Sequence, residues 1–273
     1  MIPGSARVLK CPKCGKKKEV MTLISMHIYE STLWSDSKQD LGKMTPQVSP
    51  IQWCPRCGAF YFANRQPWKF GKDCSFEQGR LSYEELKAAV AQFDADGDMT
   101  DDEKLTLLLM TVWGYNDVFT RDTLLGEIQR TEREMDCWVK GCGEPVAEAL
   151  RTGDYDKLHL EYDGKYDGVA KHIRELYDKR DKIKEQREQW LTAETPAEDQ
   201  AFFKSVVERL LALNNVDGVL RAELLREIGR YDDALQLLDD YATENEFLRS
   251  LKEQVRMSAE RRETKPFIVD CGN

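Results

Sequence analysis

The chain has 273 residues, of which 41% are hydrophobic, 33% charged and 10% aromatic, with a formal charge of −9. That share of large apolar side chains is too high for a disordered chain, and the length suffices for a real core in one large or two ordinary domains. No run approaches the roughly 18 uninterrupted apolar residues of a membrane span, and the opening Met-Ile-Pro-Gly-Ser-Ala-Arg lacks the apolar stretch of a signal peptide, so a soluble, cytoplasmic chain with no membrane partner is expected.

Charge is unevenly distributed. Residues 1–72 carry 12 Lys or Arg against 4 Asp or Glu, whereas residues 73–273 carry 28 against 45. A basic start on an acidic body predicts either an anionic partner at the N-terminal part or attraction between the two parts.

Four of the eight cysteines fall in two matching pentapeptides, Cys11-Pro12-Lys13-Cys14-Gly15 and Cys54-Pro55-Arg56-Cys57-Gly58. Two residues between the thiols let both sulfurs of a pair reach one ion. Proline presets the turn, and glycine takes a backbone conformation that a side chain resists. Two such knuckles offer four sulfurs, the closed tetrahedral set of one structural Zn2+ held by Cys11, Cys14, Cys54 and Cys57. Four thiolates leave no position for water or substrate, which argues against a catalytic zinc. The paired pattern also resembles rubredoxin, which implies iron and electron transfer; the long spacer and the large attached body argue against that reading.

The 39 residues between the pairs exceed the about 15–20 of the simplest ribbons, so the spacer must carry structure of its own. Val20–Met26 and Ala59–Phe62 are β-prone runs leaving the first and second knuckle, and Ser31–Pro50 reads as a long loop. Lys10, Lys13, Lys16, Lys17, Lys18 and Arg56 surround the knuckles, with Trp53, Phe60, Tyr61, Trp68 and Phe70 among or just beyond them. Such interleaving suits phosphate and base contacts in a nucleic acid; it equally suits a small aromatic core beneath solvated lysines. Cys74, Cys137, Cys142 and Cys271 are expected to be small core residues with inert thiols.

From Leu81 onward the signals are helical. Ser82 with Glu85, Thr100 with Glu103, and Thr195 with Glu198 have capping-box spacing, the last with Pro196 at the first helical position. The helix after Thr100 is apolar on most sides and is expected to be buried. Asp94, Asp96, Asp98 and Asp102 occupy positions one, three, five and nine of an EF-hand-like loop, but Met99 at position six and Leu105 at position twelve deny it the sharp turn and the bidentate carboxylate, so no calcium site is expected. A charged helix from about Val169 to Leu191 has a thin apolar stripe and reads as mostly solvated. Helices near 198–213 and 246–262 flank a stretch, Ala222 to Leu238, that resembles the middle of a tetratricopeptide repeat, in which Gly229 and small residues let two helices pack closely.

The paired knuckles, Ser31-Thr-Leu-Trp34-Ser-Asp36 in the spacer, Trp113-Gly-Tyr-Asn116-Asp117 in a helix and the repeat-like end together resemble a group of bacterial proteins of uncharacterised function. The resemblance implies a four-Cys zinc ribbon joined to a tetratricopeptide-like helical region, and it carries over no catalytic residue. The expected fold is therefore α+β and mainly helical, with a β zinc ribbon over 1–72, a helical middle region over 73–191 and a repeat-like region over 192–273. The expected function is a non-enzymatic adaptor that meets a protein through its helical body. Nucleic-acid binding through the basic ribbon is the alternative, and an enzyme of unknown class the third; of the three histidines, His27, His159 and His172, it would need His159 or His172 to share a pocket with a leftover cysteine.

Overall fold

The computed structural model describes residues 2–3, 7–20, 23–25, 32–40, 49–66 and 81–270. Its strands are short and pair antiparallel, two by two: β1 (Ile2–Pro3) with β4 (Leu23–Ser25), and, as hairpins, β2 (Arg7–Lys10) with β3 (Lys17–Val20), β5 (Thr32–Leu33) with β6 (Gln39–Asp40), and β7 (Ile51–Trp53) with β8 (Phe60–Phe62). Ten helices follow among the described residues: α1 (Tyr83–Asp96), α2 (Asp101–Tyr115), α3 (Thr123–Lys140), α4 (Glu144–Thr152), α5 (Tyr155–Glu161), α6 (Asp167–Thr192), α7 (Ala197–Leu211), α8 (Gly218–Glu227), α9 (Tyr231–Asp240) and α10 (Glu246–Glu260). The chain is thus an α+β protein, mostly helical, with its β hairpins at the N-terminal end. Among the described residues no helix is long and apolar enough to cross a membrane.

The chain forms two compact units that do not run in chain order. One comprises Met1–Arg121 with Pro196–Asn273, the other Asp122–Thr195. In the first, β7 and β8 lay Ile51, Phe60 and Phe62 on Ala89, Val90 and Phe93 of α1 and Leu107 of α2. The Phe62 and Phe93 rings lie 4.7 Å apart. The opposite side of α2 packs on α7 through Leu108, Val112, Phe203, Val206 and Leu210, so this helix is covered on most sides, as its composition predicts. Beyond α7, helices α8, α9 and α10 share a core around Ala222, Ala234, Leu238 and Val255. The turn between α8 and α9 depends on Gly229, whose φ of +82° suits glycine.

In the second unit α3 and α6 pack lengthwise and α4 and α5 close the end, burying Val146, Leu150, Leu158 and Ile173. The helix expected over 169–191 is mostly solvated, as its composition predicts, and packs on α3 along one side. Its thin stripe, Ala170, Ile173, Leu176 and Ile183, is buried.

The capping boxes at Ser82 and Thr100 both form, each with its hydroxyl accepting from the amide three residues on and the glutamate returning to the cap amide. The third does not. Helix α7 begins at Ala197 with an extended Pro196 as its cap and no side-chain bond there, so Thr195 stands one residue too early. The stretch 31–50 is likewise more than a loop. Its described part folds as the β5–β6 hairpin and also pairs with the C-terminal segment: the Ser35 amide donates to the Phe267 carbonyl at 2.9 Å and the Val269 amide to the Leu33 carbonyl at 2.8 Å.

Candidate metal centre

Each knuckle is a tight turn closed by backbone bonds. The Gly15 amide donates to the Cys11 carbonyl at 2.9 Å and the Gly58 amide to the Cys54 carbonyl at 2.8 Å, while Cys11 and Cys54 donate across their hairpins to Lys16 and Ala59. Gly15 and Gly58 sit at φ +74° and +69°, the left-handed region that the glycine ending each pentapeptide supplies at little cost. The two hairpins then face each other with Leu9, Val20, Ala59, Tyr61 and Ala63 beneath the sulfurs.

The ligand atoms of Cys11, Cys14, Cys54 and Cys57 all lie within 4.8 Å of one another. Across the pairs, Cys11 Sγ stands 3.6 Å from Cys57 Sγ, and Cys14 Sγ 3.6 Å from Cys54 Sγ. Zinc–sulfur bonds of about 2.3 Å in a tetrahedron put sulfurs about 3.8 Å apart, so this donor set fits one tetrahedral ion. Burial opposes charge on Cys54, but amides of Cys57 and Arg56 donate to its sulfur and bring its pKa down to about 6. The Ala59 amide likewise favours a Cys57 thiolate, yet burial and the three neighbouring thiols hold its proton up to about 12. Sulfurs this close cannot all ionise unless a cation sits among them. The centre can therefore hold a metal ion, and its chemistry is that of a closed site.

Set against known protein families, curated proteins and solved structures, the chain matches none of them.

Of the basic residues around it, Lys10, Lys13, Lys16, Lys17 and Arg56 are exposed and Lys18 is half-buried. The aromatic residues divide. Phe60 and Tyr61 are core residues, unable to offer a face to a base, whereas Trp53 is 39% exposed; Trp68 and Phe70 lie outside the described residues. The leftover cysteines also divide: Cys137 is exposed on α3, contrary to the core position expected, Cys142 is half-buried, and Cys74 and Cys271 lie outside the described residues. His27 is outside them too. His159 is exposed and bonded to Asp167 at 2.8 Å, and His172 lies edge-on to Trp138; no hydrogen bond joins either to a cysteine among the described residues.

A second polar constellation lies on the body side, where sequence reasoning named the segments but no role. After α2 the helix widens at Asn116–Thr120 into a turn whose Arg121 amide donates to the Asn116 carbonyl, which brings Asn116, Asp117 and Arg121 round to the tip of the β5–β6 hairpin. There Asp36 accepts from Arg121 Nη2 at 2.5 Å and Asn116 Nδ2 at 2.9 Å, and its carbonyl accepts from Trp113 Nε1 at 2.9 Å. Lys38 Nζ meets both oxygens of Asp117, at 2.5 and 2.6 Å. The Arg121 guanidinium also bonds Asp117 and lies over the Trp34 ring. Asn116 Nδ2 reaches Glu227 Oε2 of α8 at 3.0 Å, so one amide nitrogen bridges two buried carboxyls. Burial, outweighing Arg121, raises the Asp36 pKa, and burial reinforced by Glu223 and Asp36 raises Glu227 well above the usual carboxylate range.

Proposed function

We propose that the chain is a non-enzymatic zinc-binding adaptor. One Zn2+ on Cys11, Cys14, Cys54 and Cys57 fastens the two hairpins of the ribbon, and the helical body meets a protein partner. The observation that carries the zinc half is the convergence of four sulfurs at tetrahedral spacing. A hairpin core this small, Leu9, Val20, Ala59, Tyr61 and Ala63, is a poor fold without a metal staple. The partner half is supported by helices α8, α9 and α10 stacked through small residues, the packing that the tetratricopeptide-like sequence implies.

The test is elemental analysis of the full-length protein and of a Cys54→Ser/Cys57→Ser variant, each followed by a thermal melt. One zinc per chain, lost in the variant together with a lower melting temperature, supports the reading; iron, or a metal-free protein of unchanged stability, sinks it. For the partner, affinity purification from the source cells should return a protein at constant stoichiometry from low to high salt.

Nucleic-acid binding remains the second reading, favoured by one observation: Lys10, Lys13, Lys16, Lys17 and Arg56 stand exposed around the knuckles beside Trp53, with no carboxylate paired to them among the described residues. It requires an affinity for single-stranded oligonucleotides that falls steeply with salt and weakens when these residues are neutralised. Binding that salt does not affect rules it out.

A further inference from the structure

The segment that follows α10 is held mainly through its backbone. Arg226 of α8 is fully buried and paired with both oxygens of Glu223 at 2.5 and 2.7 Å, and its guanidinium also donates to the main-chain carbonyls of Glu263 and, at 3.0 Å, Lys265. Phe267 meets Ser35 with both of its main-chain groups: its amide donates to Ser35 Oγ at 3.0 Å and its carbonyl accepts from the Ser35 amide at 2.9 Å. The Val269 amide donates to the Leu33 carbonyl at 2.8 Å. At the far end the Gln254 side chain of α10 takes the place of a strand residue, accepting from the Asp270 amide at 2.9 Å and donating to its carbonyl at 2.8 Å. The edge of β5, Arg226 and Gln254 thus form a groove that grips an extended backbone, the means by which a strand is recognised when it is added to a sheet edge.

The apolar share of this contact is small. Pro266 and Val269 are buried and Phe267 is half-buried, but Ile268 is 58% exposed and residues 261–265 are exposed throughout. Ordering such a segment costs conformational entropy that two or three apolar side chains offset only in part, so the groove's hydrogen bonds must supply the rest. The chain also enters the segment through Arg262 at φ +56°, a left-handed conformation costly for a residue with a side chain and relieved if the segment leaves. Few buried side chains and a strained entry place it among the parts of a fold that open first.

We propose that this groove is where the helical body takes its protein partner, and that residues 263–270 are an internal stand-in for the partner's strand. The proposal rests on the adaptor reading. The partner contributes an extended segment with proline, an aromatic residue next and an aliphatic residue two further on, the order of Pro266, Phe267 and Val269. Proline presets the extended backbone, and the other two side chains enter the core that Ala222, Leu238 and Val255 line. Tethering holds the chain's own segment at an effective concentration on the order of millimolar, so the groove stays closed to weak ligands until that segment is released.

The experiment follows the anisotropy of a fluorescein-labelled peptide, Glu-Thr-Lys-Pro-Phe-Ile-Val-Asp, titrated with the full-length protein and with two release variants, Val269→Asp and Phe267→Asp/Val269→Asp. The control peptide carries Asp in place of its Phe and Val. A release variant that keeps a cooperative melt and the parent's far-ultraviolet spectrum should bind the first peptide saturably, at least about tenfold tighter than the parent does, and the control peptide not at all. Gln254→Ala in the same background should weaken binding about three- to tenfold, the share of its hydrogen bonds to the strand end. The proposal is overturned if no folded release variant binds the peptide, if the control peptide binds as well, or if Gln254→Ala changes nothing. It is equally overturned if both release variants unfold, since the segment is then part of the core and not a displaceable strand. Failure of the peptide while affinity purification still returns a partner removes the groove alone; peptide binding with no partner recovered upholds the groove and removes the adaptor reading.

Discussion

Asp36 and Arg121 form an ion pair sealed from water. Both side chains have 0% exposure, and Nη2 stands 2.5 Å from Oδ2. The two residues lie 85 positions apart in the chain, one at a hairpin tip in the metal-ribbon spacer, the other just past α2. The pair therefore ties the ribbon segment to the helices of its unit. Removing one partner leaves an uncompensated charge where water cannot reach it.

Arg121→Met should accordingly cost about 3–5 kcal/mol, whereas Arg121→Met combined with Asp36→Asn should cost clearly less than the sum of the two single changes. Urea unfolding of the three variants gives the coupling. Additive losses would show that the pair is not energetically linked.

Glu227 behaves in the opposite sense. Its pKa in the fold is raised, first by burial and then by Glu223 and Asp36, and its Oε1 has no hydrogen-bond partner. A carboxyl that binds its proton more tightly when folded favours the folded state at low pH, and that advantage fades as pH rises through the raised pKa. Glu227→Gln mimics the protonated form and keeps an oxygen for Asn116. The variant should melt higher than the parent above neutral pH, and the gap should close towards pH 4. An equal gap at every pH would mean that Glu227 does not titrate there.

Glu103 has a lowered pKa for a legible reason. Arg65 donates to both its oxygens at 2.6 Å, and the Thr100 amide donates to the same carboxylate at 3.0 Å, which together hold its pKa at about 2. The stability it contributes is complete above the ordinary glutamate range and is lost as pH falls from there towards 2. Melting temperatures measured down this range should fall more steeply in the parent than in Glu103→Gln, which has already lost the charged pair.

Gly218 opens α8 against Tyr241. A Cβ there would stand 2.3 Å from the ring, whose hydroxyl is bonded to Asp217, the cap of the same helix. Gly218→Ala should destabilise by about 1–3 kcal/mol through overpacking. In a Tyr241→Ala background the same change should become neutral or gain up to about 1 kcal/mol from helix propensity. Chemical denaturation of the four proteins distinguishes this clash from a backbone requirement, which would persist in the double variant.

The sequence by itself determined what is local. Two Cys-Pro-x-Cys-Gly turns specify their own geometry, because proline, glycine and the two-residue spacing act within five residues, and the four sulfurs meet as that spacing implies. The caps at Ser82 and Thr100 and the amphipathic stripes of α6 and α7 were legible for the same reason: a helix end or face repeats over three or four residues. Thr195 shows the limit, since a cap depends on where the chain first turns helical, and a shift of one residue undoes it.

Only the tertiary structure decided the rest. Trp34 to Asp36 and Trp113 to Asp117 stood out in the sequence without a role, because the bonds joining them span about eighty residues and leave no periodicity to read. That the C-terminal segment returns to pair with residues 33–35, that α2 leaves one face open to a cleft, and that Asn116 bridges two buried carboxyls are outcomes of long-range packing. Local rules place each side chain on its element; only the closing of the core, which removes water from Asp36, Arg121 and Glu227 together, makes their charges matter to one another.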